Sequence, residues 1–404
     1  TRDEPSPEMV ETLDAILDQE YATLVAGIAE GRRIDPGTVR QLIDTAVFQP
    51  EAAERAHLID AVAGFAAFRD AELGDAGWKR EPIEPQAKPD MQQLMRLIGL
   101  APARVPDGDH VALVYAVGDV VDGDGGPLRA REQIASRPLT AALRALAADD
   151  DVKAVVLRID SPGGSALASE QIWHAVDALK QKKPVIVSMA GVAASGGYYI
   201  ACGATKIYAD RTTLTGSIGV VGGKLAIADA LAGIGVRTFP RGRGKRALLF
   251  ASLGAWSDDE RAAVQQLMQG TYDTFVGRVA SGRSRPRTAI EPLAQGRVWT
   301  GEAAVRSGLI DEIGGLTEAL AEARKLGSVD ADEALEVYPP TPSLLDLVHS
   351  IGDVSLPAGL DTALAGAAGV DARTAAAVRA QVMRALRFRD APVQTVAFLP
   401  SLFR

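Results

Sequence analysis

Two glycine-rich turns, each holding serines, carry the residues of this chain best suited to chemistry. The first is Asp160-Ser161-Pro162-Gly163-Gly164-Ser165, which follows an apolar run ending at Ile159 and precedes a predicted helix beginning near Ser169. Paired glycines admit positive φ and let backbone N–H groups come close to a ligand. The helix start behind them adds a positive dipole end, so the turn suits an oxyanion or a carbonyl oxygen. The second is Ala193-Ala194-Ser195-Gly196-Gly197-Tyr198-Tyr199, after an apolar run ending near Met189. A serine on a sharp turn at a helix start presents its hydroxyl, and the N–H of Gly196 behind it supplies an oxyanion donor beside the nucleophile. Either turn alone is common in ordinary loops. Together, at the ends of successive strands, they point to acyl transfer.

A nucleophilic serine needs a base. The histidines are His57, His110, His174 and His349, none in a glycine or strand-end context, so a Ser-His-Asp triad is poorly supported. No spacing of His, Cys and carboxylates suggests a metal, and Gly216-Ser217-Ile218-Gly219-Val220-Val221-Gly222 has the wrong spacing for a dinucleotide loop. No cofactor is expected. Lysine remains as the type that becomes a base when desolvation depresses its pKa, and the chain has ten.

Composition bounds the partners. With 404 residues, 47% hydrophobic and 24% charged, the chain is globular and long enough for two cores. A net charge of -9 disfavours nucleic acid, and the one basic run, Arg241 to Arg246, reads as a solvated or substrate-facing loop. Cys202 has no partner for an internal disulfide and reads as a packed thiol. No run of 18 or more uninterrupted apolar residues is present, so nothing in the chain is expected to span a membrane.

The elements that must position the turns follow from apolar periodicity. Buried strands are predicted at 111–117, 154–159 and 184–189, with helices at 139–147 and 169–180 between them. Continuous apolar strands alternating with helices imply an α/β fold whose mostly parallel sheet is covered on both faces. Residues 1–74 read as helices, with a start at Ser6-Pro7 and apolar positions Leu13, Ile16, Leu17, Leu24 and Val25. Residues 75–107 read as a linker carrying a short helix at 90–99, residues 108–330 as the serine-bearing unit, and residues 331–404 as a helical C-terminal extension.

Residues from Ser6 to Gly64 also match those from Ser257 to Gly315 at a constant offset of 251. Tyr21 pairs with Tyr272, Gly31-Arg32 with Gly282-Arg283, Glu51-Ala52-Ala53 with Glu302-Ala303-Ala304, and Leu58-Ile59-Asp60 with Leu309-Ile310-Asp311. This is an internal duplication in which the front of the first unit is absent. Its helices are then expected to expose an apolar face, and the isolated chain to aggregate or oligomerise.

The turns Ser161-Pro162-Gly163-Gly164-Ser165 and Ala194-Ser195-Gly196-Gly197-Tyr198 are joined by three further motifs. These are Thr213-Leu214-Thr215-Gly216-Ser217-Ile218-Gly219, Gly296-Arg297-Val298-Trp299-Thr300-Gly301 and Gly308-Leu309-Ile310-Asp311. In combination, over residues 6 to 330, they resemble the signal peptide peptidase A family in its long bacterial form with two related units. The resemblance implies a Clp-protease/crotonase-like fold and a Ser/Lys serine endopeptidase that degrades hydrophobic peptides such as cleaved signal peptides. It further implies a homo-oligomer, a tetramer, anchored in the bacterial inner membrane by a segment absent from this chain, with a periplasmic catalytic domain. By the same resemblance Ser195 is the nucleophile, Ser217 orients the lysine, and Gly196 with Gly163 or Gly164 forms the oxyanion hole. The base lysine of the long form belongs to the first unit, ahead of the helix that starts at Ser6. In the short form it precedes the helix corresponding to Ser257, and Lys245 lies 12 residues before Ser257. Lys245 is thus either a base or a surface lysine of the Arg-rich loop. Two alternatives stay open: a catalytically incomplete fragment or assembly scaffold, and a crotonase-like acyl-CoA hydratase or isomerase with Glu170 as its candidate carboxylate.

Overall fold

The computed structural model describes residues 7–73, 106, 108–125, 132–339 and 393–396. The short helix expected at 90–99, and the extension expected beyond 340 apart from Val393–Val396, lie outside the described residues. Two compact units divide them: residues 7–73 with 222–270, and residues 106–221 with 271–339 and 393–396.

Helices α1 (Pro7–Arg32), α2 (Pro36–Thr45), α3 (Pro50–Arg55) and α4 (Phe65–Leu73) come first. Asp35 caps α2 by accepting from the N–H of Thr38, and Pro36 follows at the first helical position, where its missing N–H costs nothing. Val25 and Val39 are buried, whereas Leu13, Ile16 and Leu24 are 39%, 54% and 52% exposed. The apolar stripe read from the sequence of α1 is therefore open in the single chain.

The strands and helices of the second unit alternate: β1 (His110–Val117), β2 (Asp119–Val121), β3 (Gln133–Ala135), α5 (Ser136–Ala148), β4 (Val152–Ser161) and β5 (Gly163–Ser165). They continue with α6 (Ala166–Lys180), β6 (Val185–Ala194), α7 (Gly196–Ala201), β7 (Lys206–Ala209) and β8 (Leu214–Gly216). Then come β9 (Val221–Gly222), α8 (Ala228–Gly233), α9 (Asp258–Gly282), α10 (Arg287–Ile290), β10 (Val298–Thr300) and α11 (Gly301–Ser307). The described elements end with β11 (Glu312–Ile313), α12 (Leu316–Gly327), β12 (Leu335–Tyr338) and β13 (Val393–Val396).

The main sheet has the order β10-β8-β6-β4-β1-β12, with β7 paired to β6 and β11. All of its pairings are parallel except β10 with β8. Both faces are covered, as continuous apolar strands require. Val155, Leu157 and Ile159 pack on one side with Leu143 of α5 and Ile172, Val176 and Leu179 of α6. Ala154 and Val156 pack on the other with Ala319 and Ala323 of α12. Helix α6 starts three residues earlier than its apolar spacing predicts, because Ser165 caps it by accepting from the N–H of Ala168. Strand β6 runs five residues past Met189. Its first half pairs with β4 and β7, and its second half, Val192–Ala194, pairs with β8.

The duplication is built into local structure. Arg32 pairs with Asp60, and 251 positions later Arg283 pairs with Asp311. The N–H of Leu58 donates to Ala53 O at 2.9 Å, and that of Leu309 to Ala304 O at 2.9 Å. Arg33 and Ser284, the residues after the matched arginines, both have positive φ, 56° and 50°. The same helix end and the same ion pair are thus made twice.

Candidate active site

Three strand ends meet at one edge of the main sheet. Ser161 at the end of β4 stands beside Ala193 of β6, and Ala193 and Ala194 stand beside Thr215 and Gly216 of β8. The residue after each of the last two strands is a serine: Ser195 after β6 and Ser217 after β8. Threonines lace the edge, Thr215 Oγ1 donating to Ala193 O and Thr213 Oγ1 to Ala190 O, each at 2.7 Å.

Ser195 occupies φ 53°, ψ −115°, a conformation that non-glycine residues rarely adopt and that costs roughly 1–3 kcal/mol. Two backbone hydrogen bonds hold it there. Its N–H donates to Gly216 O at 2.8 Å, and its carbonyl accepts from the N–H of Tyr199 at 2.8 Å, opening α7. This is the strand–turn–helix elbow that thrusts a serine hydroxyl forward. Ser195 is 1% exposed, and its Oγ is buried without a hydrogen-bond partner. An unmet buried hydroxyl costs about 1–3 kcal/mol, so the position is set for something other than stability. Gly196 is the first residue of α7, where N–H groups lack an intrahelical acceptor.

Ser217, 6% exposed with φ 49°, donates its N–H to Arg297 O at 2.7 Å. Gly216 before it has φ 76°, and a Cβ there would lie 2.7 Å from Trp299 Cδ1. Trp299 is in turn fixed by donating Nε1–H to Leu293 O at 2.9 Å. The motif at 296–301 is therefore the backing of the motif at 213–219, and β10 pairs antiparallel with β8 to make it so.

Gly163 and Gly164 form β5 with Ser165. The N–H of Gly163 donates to Ser161 Oγ at 3.1 Å. Gly164 packs so closely on β2 that a Cβ would meet Val120 O at 2.1 Å, which explains a glycine there independently of any ligand. A Cβ on Gly197 would stand 3.0 Å from Ser161 O, so the two glycine turns also press on each other.

Helix α7 is braced from behind. Tyr198 OH donates to Leu309 O at 2.7 Å, which ties the nucleophile helix to the motif at 308–311, and burial raises its pKa. Tyr199 OH donates to Glu170 Oε2 at 2.7 Å, and its ring stacks on Phe275 at 4.3 Å. Glu170 also accepts from Arg278 at 3.2 Å and stands 3.1 Å from His174 Nε2. Burial pushes the Glu170 carboxyl up, but hydrogen bonds from His174, Arg278 and Tyr199 outweigh it and hold the group down at about 2. The Arg278 guanidinium lies 4.3 Å from the centroid of the Trp173 ring.

The structure brings Ser195, Ser217, Gly163, Gly164 and Gly196 together in one unit. Lys245 belongs to the other, where its Nζ donates to Asp259 Oδ1 at 3.1 Å and its N–H to Asp44 Oδ1 at 2.7 Å. Hydrogen bonds from Arg246 and then Lys245 hold Asp259 at about 2. Arg241 and Arg243 of the same basic run pair with Asp14 and Asp18, so the run is largely neutralised within its unit. Lys224, which the sequence reading passed over, sits 5.7 Å from the Trp256 ring, and desolvation lowers its pKa. His57 and His110 lie elsewhere: His57 is exposed in the first unit, and buried His110 bonds to Gly108 O. His349 lies outside the described residues. Cys202 is fully buried, its thiol pushed up to about 12 by burial. Among the described residues no His, Cys, Asp or Glu group could hold a metal ion.

Known proteins share this arrangement. The Peptidase family S49 profile matches residues 177–330, and the Clp protease profile matches residues 129–218. The chain is 33% identical over 368 residues to the chloroplastic serine protease SPPA of Arabidopsis thaliana, covering 89% of this chain and 53% of that protein. It is 35% identical over 209 residues to a putative signal peptide peptidase SppA of Enterococcus faecium, covering 52% of this chain and 61% of that protein. It is also 35% identical over 204 residues to a putative protease of Synechocystis, covering 50% of this chain and 73% of that protein. The chain spans about half the length of the longer curated relatives it matches. The mixed α/β layers around a mostly parallel sheet are those of a Clp-protease-like domain, accompanied by a helical N-terminal region.

Proposed function

This chain belongs to peptidase family S49, and we propose that Ser195 is the nucleophile of a Ser/Lys endopeptidase acting on extended apolar peptides such as cleaved signal peptides. The observation that carries the reading is the elbow at Ser195: a strained serine with a buried, unpartnered Oγ, next to the leading amide of α7. Ser195 Oγ attacks the scissile carbonyl carbon while a lysine amine takes the hydroxyl proton. The N–H of Gly196 and an amide of Gly163 or Gly164 hold the oxyanion as the tetrahedral intermediate forms. The lysine then returns the proton to the leaving amine, and water hydrolyses the acyl-enzyme. Ser217, adjoining the residue that accepts from Ser195, orients the amine.

Within this chain Lys245 is the proposed source of that amine. Its engagement with Asp259 and Asp44 favours a second reading, in which this chain alone is an incomplete catalyst or an assembly scaffold. The acyl-CoA reading has less support, because Glu170, the carboxylate it needs, is held by Tyr199, Arg278 and His174. The repeated pairs Arg32–Asp60 and Arg283–Asp311 support taking residues 1–74 as the C-terminal part of a duplicated peptidase-like unit, before the serine-bearing unit at 108–330. The open apolar face of α1 supports a homo-oligomer, a tetramer, in the proposed setting of the bacterial inner membrane with the catalytic side periplasmic. No described helix is itself long and apolar enough to cross a membrane.

Cleavage of a fluorogenic apolar peptide by this chain, by Ser195→Ala and by Lys245→Ala tests the assignment. Turnover lost in both variants makes Lys245 the base. Turnover lost only in Ser195→Ala moves the base elsewhere, and turnover retained in Ser195→Ala sinks the reading.

A further inference from the structure

Strand β5 is three residues long, and two of them are glycines. One of its edges is occupied by β2, with Val120 beside Gly164. The other edge is occupied by β13, running antiparallel, with Gln394 beside Ser165, Thr395 beside Gly164 and Val396 beside Gly163. This is the edge next to the nucleophile, since β5 begins two residues after Ser161, and Ser161 stands beside Ala193 at the approach to Ser195.

Three features set this pairing apart from an ordinary structural strand. Gly163 and Gly164 offer no side chains to pack on, so the attachment rests on backbone hydrogen bonds, the means by which extended peptides add to a sheet edge. Four residues against three make a marginal pairing that another strand can displace. The chemistry of the segment is also that of an apolar peptide. No residue from Ala391 to Phe403 is charged, and Val393, Thr395 and Val396 are β-branched and favour an extended backbone.

We propose that Val393–Val396 occupies the strand position a substrate peptide takes on β5, so that the chain's own tail is a tethered competitor at its catalytic cleft. The proposal rests on the peptidase reading given above and concerns the regulation of that site. Tethering keeps the segment at an effective concentration on the order of millimolar, enough to exclude weak peptides while yielding to strong or abundant ones.

The test uses the full chain carrying Ser195→Ala, so that nothing is cleaved, and two derivatives. One ends after Pro392; the other carries Gln394→Pro and Thr395→Pro together, which removes two strand donors without shortening the chain. The probe is a fluorescein-labelled peptide with the sequence of residues 391–399, followed by anisotropy. Hydrogen exchange at Gly163–Ser165 is followed in parallel. The expected result is a dissociation constant about tenfold lower in both derivatives, with exchange at Gly163–Ser165 about tenfold faster. Unchanged exchange in both would overturn the proposal and leave the peptidase reading standing. Faster exchange without peptide binding in any of the three proteins would overturn the competition and fault the peptidase reading itself.

Discussion

The backbone N–H of Ser195 donates to the carbonyl of Gly216 at 2.8 Å, and this bond joins the two serines of the site. It closes the ladder between β6 and β8 one residue beyond the pair Ala194–Gly216. The acceptor is held at positive φ by the Trp299 ring, and the donor is held at positive φ by the start of α7. Ser195 and Ser217 are therefore fixed relative to each other by backbone and sheet, and their hydroxyls remain available for chemistry.

Gly216→Ala should damage that joint. The new Cβ meets Trp299 Cδ1 at 2.7 Å in a left-handed conformation. A loss of about 1–3 kcal/mol in urea unfolding is expected, together with a fall in turnover larger than the stability loss explains. Wild-type turnover in Gly216→Ala would show that the Ser195–Ser217 spacing is not set here.

Gly164→Ala should separate β5 from β2, because its Cβ would lie 2.1 Å from Val120 O, where neither backbone can yield cheaply. Peptide affinity is expected to fall about tenfold or more, read by anisotropy on the Ser195→Ala background. Unaltered affinity would mean that β5 does not present the peptide.

Glu170 makes stability depend on pH with a definite sign. Its folded pKa, about 2, lies below its ordinary value of 4.5, so its contribution is complete above about pH 4.5 and is lost as pH falls toward 2. Between those limits the contribution declines by at most about 3 kcal/mol. Urea midpoints of the wild type and Glu170→Gln should differ most at pH 7 and converge by pH 3. A gap that is constant with pH would remove the carboxylate from the account.

Tyr199→Phe deletes one hydrogen bond to Glu170 and leaves Arg278 and His174 in place. A stability loss of about 1 kcal/mol is expected. Because Tyr199 N–H also opens α7 at Ser195, turnover should fall through kcat rather than KM. A pure KM effect would place Tyr199 in substrate binding instead.

Much of this site is legible in the amino-acid sequence, because glycine turns after apolar runs announce close backbone approach at strand ends. The parallel sheet is legible for a similar reason: strands covered on both faces are apolar throughout, as Ala154 to Ile159 are. What escapes is whatever depends on distant partners. Strand β6 outlasts its apolar run because Val192–Ala194 finds β8, not because of its own propensity. The brace on α7 joins Glu170 to Arg278 across 108 positions, and neither residue is unusual locally. The tail reads as helical by composition, yet Val393–Val396 is a strand, since its partner is backbone that the sequence cannot display as a pattern.

The most direct test of the central claim is covalent. The chain is incubated with a fluorophosphonate probe, digested, and the adduct mapped by mass spectrometry, with Ser195→Ala and Ser217→Ala alongside. The account predicts a single adduct on Ser195, absent from Ser195→Ala and slowed in Ser217→Ala. An adduct on another serine that persists in Ser195→Ala would contradict it.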